Sequence, residues 1–413
     1  MRRIPLVFVI ACSLAACAHD DAATPVAPLP GDVSLASNDG SGGNGGHSPG
    51  TLADGKSIFR FDTFGDETFW TDTLRMHEVI RSSVSPATAL SVGLKVDVDA
   101  LPAAVKAGIV GKTVDLNAPA TTVALLKLGA VVGVVGHVDA TDTLRRVGIT
   151  CAFCHSTVDN SFAPGIGHRL DGWPNRDLNV GAIVSLSPAL TPAQKAVYGS
   201  WGPGMYDPRF NIDGKNMPVV IPPAFGLRHI AREIYTGDGP VSYWNAYVAI
   251  TQMHGHGHFV DPRIGVDKDN TPPDLVTSKL PALREYQFSL EAPAPIPGSF
   301  DKQAAHRGQA VFNGVARCSS CHLAGSRSDV NTGRLHPASE VGQDPAYAER
   351  SATKLYRTTP LRGLWHPPQL KGPYFHDGNA KTLDAAVEHY VALFKLTLSD
   401  RQKRDLVEYL KTL

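Results

Sequence analysis

The chain has 413 residues, in which 39 Lys and Arg are balanced by 39 Asp and Glu. A formal charge of zero removes any call for nucleic acid or for a strongly acidic partner surface. The length predicts on the order of two or three domains. The 43% hydrophobic share is that of a globular protein, and 39 glycines with 31 prolines suit a loop-rich fold.

The amino terminus reads as an address. Met1-Arg2-Arg3 is a short basic start, and Ile4 to Ala16 is apolar and small-residue rich. That predicts a secretory signal over residues 1–16, too short to span a bilayer. Leu14-Ala15-Ala16-Cys17 reads as a bacterial lipobox, which would put a lipid on Cys17 and hold an exported, periplasmic chain at a membrane surface. The alternative is plain cleavage after the small residues. Cys12 and Cys17 are the only cysteines of this region. Residues 17–50 are poor in large apolar side chains and end in a Gly-rich run, so they predict a flexible tether in which His47 is idle.

Residues 51–146 predict a small mixed α/β domain. Its start is aromatic, with Phe59, Phe61, Phe64, Phe69 and Trp70. Leu74, Val79 and Ile80 repeat at helical spacing within Thr71 to Ile80, which makes Met76 and His77 packing residues rather than ligands. Ser91 to Val98 alternates and predicts a strand. Val123 to Val138 predicts a glycine-punctuated hairpin. The segment shows no chemistry of its own.

Residues 147–262 begin with Cys151-Ala152-Phe153-Cys154-His155. Cys-x-x-Cys-His is the attachment motif of c-type haem: two thiols add to the haem vinyl groups and the following imidazole ligates iron. A zinc site or a redox dithiol is the alternative reading, but no βαβ pattern surrounds the motif. The predicted cofactor gains weight from a second copy at Cys318-Ser319-Ser320-Cys321-His322. Covalent haem c at both sites would use four of the six cysteines and, with Cys12 and Cys17 in the signal region, leave no disulfide to predict. Downstream of His155, Met217 stands before Pro218 as either a sixth haem ligand or a core filler. Val241 to Met253 predicts an amphipathic helix running into His254-Gly255-His256-Gly257-His258. Gln252, His254 and His256 are the predicted proton-transfer residues of a distal wall, and Met253 or His254 an alternative sixth ligand. A metal held by the histidine cluster and a solvated turn are the other readings.

Residues 263–299 are broken by prolines and predict a connector, with a small apolar patch from Leu283 to Leu290. Residues 300–413 predict the second haem domain. Asp301 to Gly314 is a helix feeding the motif, and Ser399 or Asp400 caps a closing helix to Leu413. The predicted fold is therefore mainly α, with two cytochrome c-like haem domains behind the small mixed α/β domain.

Between the second motif and the last helix stand Thr359-Pro360-Leu361-Arg362-Gly363-Leu364, Gly372-Pro373-Tyr374-Phe375-His376-Asp377-Gly378, Thr382-Leu383 and Ala386-Val387. In order and spacing this string resembles the carboxy-terminal haem domain of bacterial diheme cytochrome c peroxidases and their MauG-type relatives. The resemblance implies His322 as proximal ligand and a sixth ligand shortly after the Ala-Val pair. Peroxidases place Met there and MauG-type proteins Tyr; in this chain the position falls on Tyr390, with His389 beside it. No methionine follows Met253. The resemblance gives His376 a loop-holding role.

The first haem domain departs from the family. Gly167-His168 and Asn216-Met217-Pro218 have rough counterparts, but the Phe-Trp-Asp-Gly-Arg segment is replaced by Ile234-Tyr235-Thr236-Gly237-Asp238-Gly239. The distal Glu has no clear counterpart, which directs attention to Gln252-Met253-His254. The leading expectation is a peroxidase-like enzyme that meets hydrogen peroxide at the His155 haem and relays electrons from a partner protein through the His322 haem. A closed electron carrier with two six-coordinate irons and a MauG-type oxidase are the alternatives.

Overall fold

The computed structural model describes residues 49–367 and 369–413. The predicted signal, Cys17, His47 and nearly all of the tether lie outside the described residues. The described chain is mainly helical, and its sheets are all two-stranded. None of its helices is long and apolar enough to cross a membrane.

Three elements before the first motif differ from expectation. Ser91 closes a helix, Pro86–Ser91, whose N-cap Ser85 accepts a bond from Thr88 N at 3.2 Å. Only Val96–Asp97 is strand, paired in parallel with Ile166–Gly167. The cap and Pro86 override the local alternation. The predicted hairpin starts too early: Pro119–Lys127 is a helix with Leu125 and Leu126 buried. The real hairpin joins Val134–Val138 to Leu144–Ile149. The predicted Thr71 to Ile80 helix is two pieces, a π-helical turn at Thr68–Thr73 and a helix at Met76–Ser83, broken at Arg75 with φ 57°.

The prolines of residues 263–299 conceal ordered structure. His258–Asp261 pairs with Val266–Asp269, and Leu280–Ser289 is a helix. Leu280, Leu283 and Tyr286 share a core with Phe59, Tyr243, Tyr247 and Met253. The Leu280–Ser289 helix lies so close to the Pro49–Phe61 helix that a Cβ at Gly55 would stand 2.0 Å from Ala282 O. The stretch is thus part of the first core rather than only a connector.

Residues 300–413 are built around two crossed helices, Lys302–Asn313 and Asp400–Leu410. Asp301 Oδ1 accepts from Gln303 N and Ala304 N at 2.8 and 3.0 Å. Ser399 and Gln402 cap the other helix reciprocally, as a capping box does. Gly308 sits at the crossing, where a Cβ would meet Asp405 O at 1.9 Å. Val311, Phe312, Leu406 and Val407 fill this core together with Leu383 and Val387 of the Leu383–Leu393 helix.

Buried ion pairs join the stretches that follow the two Cys-x-x-Cys-His motifs. Arg350 reaches Asp207 at 3.0 Å and Asp213 at 2.7 Å, and Arg357 reaches Glu233 at 2.8 Å. Ala352 N donates to Asp238 Oδ1 at 2.7 Å.

Candidate functional site

The first motif follows directly from the Leu144–Ile149 strand. Thr150 O accepts from Phe153 N at 3.0 Å, which starts the short Ala152–His155 helical turn. Gly133, at φ 76°, lets the neighbouring strand approach; a Cβ there would stand 2.2 Å from Phe153 N. His155 is oriented by Nδ1, which lies 3.1 Å from the carbonyl of Pro222. An Nδ1–H donor to a backbone carbonyl fixes the tautomer and leaves Nε2 as the ligating nitrogen. Burial pushes His155 down to about 4, so the imidazole is neutral and available.

The second motif repeats the arrangement on a different local fold. Cys318–Ser320 form a tight 3₁₀ turn after Arg317 at φ 53°. His322 N donates to Cys318 O at 3.0 Å, and its Nδ1 lies 3.1 Å from the carbonyl of Arg327. Burial again favours the neutral ring.

The thiols speak against the redox-dithiol reading. Burial pushes Cys151 and Cys154 up to about 12 and Cys318 to about 11. Redox cysteines act as thiolates and sit where positive charge lowers the pKa. Paired thiols beside an imidazole with its second nitrogen tied to a carbonyl are the donor set that fits covalent haem c. Among the described residues, the one trio with metal-ligand spacing is Cys321, Asp329 and His336. Both ring nitrogens of His336 are already engaged, Nε2 by Asp329 at 3.0 Å and Nδ1 by Glu340 at 3.1 Å.

Tyr390 belongs to the second motif. It lies on the Leu383–Leu393 helix, whose Val387 and Val391 pack in the same cluster as Cys318. Burial, reinforced by the thiols of Cys321 and Cys318, pushes its hydroxyl up to about 12. Its ring stacks on Phe394 at 5.8 Å and meets Phe375 edge-on at 5.9 Å. His389 is engaged elsewhere, with Nε2 3.0 Å from Val341 O. His376 is enclosed: Nδ1 lies 3.1 Å from Gln343 Oε1 and Nε2 3.3 Å from Tyr356 Oη. That is the loop-holding place expected of it.

Residues 305–413 match the cytochrome c family model. The methylamine utilization protein MauG of Methylorubrum extorquens is 30% identical over 158 residues, covering 33% of this chain and 43% of MauG. The cytochrome-c peroxidase IdrP1 of Denitromonas iodatirespirans is 28% identical over 151 residues, covering 26% of this chain and 40% of that protein. Residues 305–413 are thus a cytochrome c domain, and the chain is similar to MauG and to a cytochrome-c peroxidase. It spans less than half the length of either relative. Two solved structures share a partial likeness. One is the Kuenenia stuttgartiensis hydrazine synthase (TM-score 0.34, 20% identity, 48% of this chain and 72% of that one). The other is a MauG-like protein associated with microbial copper homeostasis (TM-score 0.33, 16% identity, 48% and 74%). Scores this low carry no argument about architecture.

The predicted distal residues go to different places. Val241–Tyr247 continues into a π-helical turn, Val248–Gln252, rather than one regular helix. Gln252 accepts from Tyr206 Oη at 2.8 Å and donates to Asn211 Oδ1 at 3.0 Å. Tyr206 and Cys154 pack against one cluster, around Trp70, Phe153 and Leu178, which brings Gln252 toward the first motif. His254, at φ 66°, stacks flat on Phe69 with ring centroids 3.7 Å apart and 17° between planes. Burial pushes it down to about 4.

The other two histidines do not join it. His256 lies against Gly65, with its Nδ1 sealed from solvent and without a partner. His258 is exposed and pairs with Asp267 at 2.9 Å. The three rings share no ligand position, so the metal reading of this cluster is corrected: alternation in a loop sends successive side chains apart. Met253, 2% exposed, belongs to the core on which Cys151 packs. Met217 packs with Val219, Tyr347 and Tyr356, the core-filling role.

Three features had no signal in the sequence reading. Phe69 lies within one π-helical turn and His254 follows another, a feature that recurs at functional sites. Tyr206 gave no pattern at all. Trp173 follows Gly172, whose N donates to His155 O at 2.8 Å, and meets His366 edge to face at 4.7 Å. His366 comes from the second haem domain.

Proposed function

We propose that this chain is an exported diheme redox enzyme that reduces hydrogen peroxide at the Cys151–His155 site and receives electrons through the Cys318–His322 site. The observation that carries the reading is the His254–Phe69 stack beside the Tyr206–Gln252 hydrogen bond. Haem at these motifs supplies an iron that exchanges single electrons and binds small oxygen ligands.

Converting peroxide to two waters needs two electrons and two protons, and proton handling falls to the chain. Burial keeps His254 neutral, and its ring nitrogens have no hydrogen-bond partner among the described residues. It is therefore free to take a proton from one peroxide oxygen and return it to the other. Gln252 is held by Tyr206 and Asn211, so it offers a fixed dipole rather than a titrating group. His155 and His322 hold their proximal positions through their carbonyl bonds. The Trp173–His366 contact spans the seam between the two haem segments and supports electron relay across it. An electron-donor protein completes the cycle. Export and a lipid on Cys17 belong to the same proposal, and the mass of the mature amino terminus tests them.

Low-temperature EPR of the ferric protein, repeated with peroxide and after one-electron reduction, tests the enzyme reading. The expected result is a high-spin signal that peroxide changes in at least one of these states. Low-spin signals indifferent to peroxide throughout would make the chain an electron carrier.

Tyr390 beside Cys318 and Cys321 favours a second reading, an oxidase of the MauG type with a Tyr-ligated second haem. Tyr390→Phe is then expected to change the absorption and EPR spectra of that haem alone. Unaltered spectra would rule out tyrosine ligation.

A further inference from the structure

The loop after the first motif carries a guanidinium, that of Arg176, with no counter-ion among the described residues. Asn175 N donates to Cys154 O at 2.9 Å, so Arg176 begins one residue from the first motif's anchoring contact. The residue as a whole is half-buried, yet its Nε and Nη1 are sealed from solvent without a hydrogen-bond partner. Other arginines of the seam are matched: Arg209 by Asp238, Arg350 by Asp207 and Arg357 by Glu233. Around Arg176 the groups that act on its charge are Tyr235 and Tyr374, with no carboxylate among them, and burial works against the cation.

Arginine does not relieve such a position by losing its proton. A buried charge without a partner is strongly destabilising, so an anion belongs at this place. Tyr374 packs in the cluster that contains Cys318 and Leu364. Arg176 therefore has the first motif on one side and the core of the second haem domain on the other. Of the anions available there, the propionate carboxylates of haem c are fixed in place by the thioether bonds of the ring. Guanidinium and carboxylate also match in geometry.

We propose that Arg176 pairs with a haem propionate at the seam between the two haem domains, and that its charge raises the reduction potential of that haem. The proposal rests on haem c being carried at the two motifs, so haem content is counted first, by intact mass and by the pyridine haemochrome spectrum. A wild-type chain with fewer than two haems would sink the two-haem reading and leave nothing for this test to read.

With both haems present, Arg176→Gln is expected to lower the midpoint potential of one haem in a spectroelectrochemical titration. Removing a nearby cation disfavours the reduced iron. Arg176→Lys is expected to restore most of the shift, and the haem that moves identifies the propionate. Fully loaded Arg176→Gln with both potentials unmoved would overturn the proposal. So would wild-type potentials that change when chloride is exchanged for phosphate and a Gln variant that has lost this response, because the anion would then be a free one. If the Gln variant does not assemble, the propionate bending band in the resonance Raman spectrum decides. Arg176→Lys should shift that band by replacing a planar fork with a single ammonium, and an unshifted band would overturn the proposal.

Discussion

Replacing Arg350 with alanine is expected to lower the stability of the protein by about 3–5 kcal/mol, the cost of stranding a buried partner charge. Its side chain is fully enclosed, as is that of Asp207. Nη1 and Nη2 reach the Asp207 carboxylate at 3.1 and 3.0 Å, while Nε and Nη2 reach Asp213 at 2.7 and 2.9 Å. Burial opposes the charge of Arg350, but the two carboxylates outweigh it and its pKa stays raised. Without the guanidinium, Asp207 keeps only the backbone N–H groups of Arg209 and Met217, at 2.9 and 2.7 Å. Because Arg350 lies in the second haem segment and both partners lie in the first, the loss should appear as loosening of the seam. Denaturant unfolding of the haem-loaded protein measures it. Asp207→Asn combined with Arg350→Met should recover part of the loss, since the stranded carboxylate is the main damage. A loss below about 1 kcal/mol would place this cluster with exposed ion pairs and refute its role in holding the seam.

The covalent haem chemistry was legible because it is local. Two thiols and an imidazole must fall within five consecutive residues, and both copies are found on short turns with the imidazole tied to a carbonyl. Capping was legible for the same reason at Ser399. Tyr390 was legible only through family resemblance, since nothing in Glu388-His389-Tyr390 says which ring turns toward the cysteines.

What depends on distant partners was not legible. Phe69, inside one π-helical turn, meets His254, just after another, and a π turn has no apolar period distinct from that of an α-helix. Gln252 could be singled out by position, but its bond to Tyr206 joins segments with no shared pattern. Alternation misled at Ser91 to Val98, where Ser85 and Pro86 set a helix that the period-two pattern hides. The charges of Arg350 and Asp207 look solvated in the sequence, and only the fold encloses them.

The largest dependence on pH is expected from Asp66, which is fully buried before the first π-helical turn. Burial pushes its carboxyl from an ordinary 3.8 up to about 9. The charges of Glu67 and Asp62 add to the shift, and the bond from Ile149 N opposes it. Folded Asp66 thus keeps its proton until about pH 9, whereas the unfolded residue loses it near 3.8. Between those values the unfolded state binds fewer protons, so stability falls as pH rises across the window, by several kcal/mol in order of magnitude. Below it both states are protonated and the contribution is constant. Asp66→Asn keeps an acceptor for Ile149 N and has no charge to bury. It should flatten the profile, exceed the wild type in Tm at about pH 8 and converge with it near about pH 4. A variant whose profile runs parallel to the wild type's would show that Asp66 does not carry the dependence. Ile149 ends the strand that delivers Thr150 and Cys151 to the first motif. Ionising Asp66 should therefore loosen that site first, and in the proposed two-haem protein the spectrum of the His155 haem should change at alkaline pH before that of the His322 haem does.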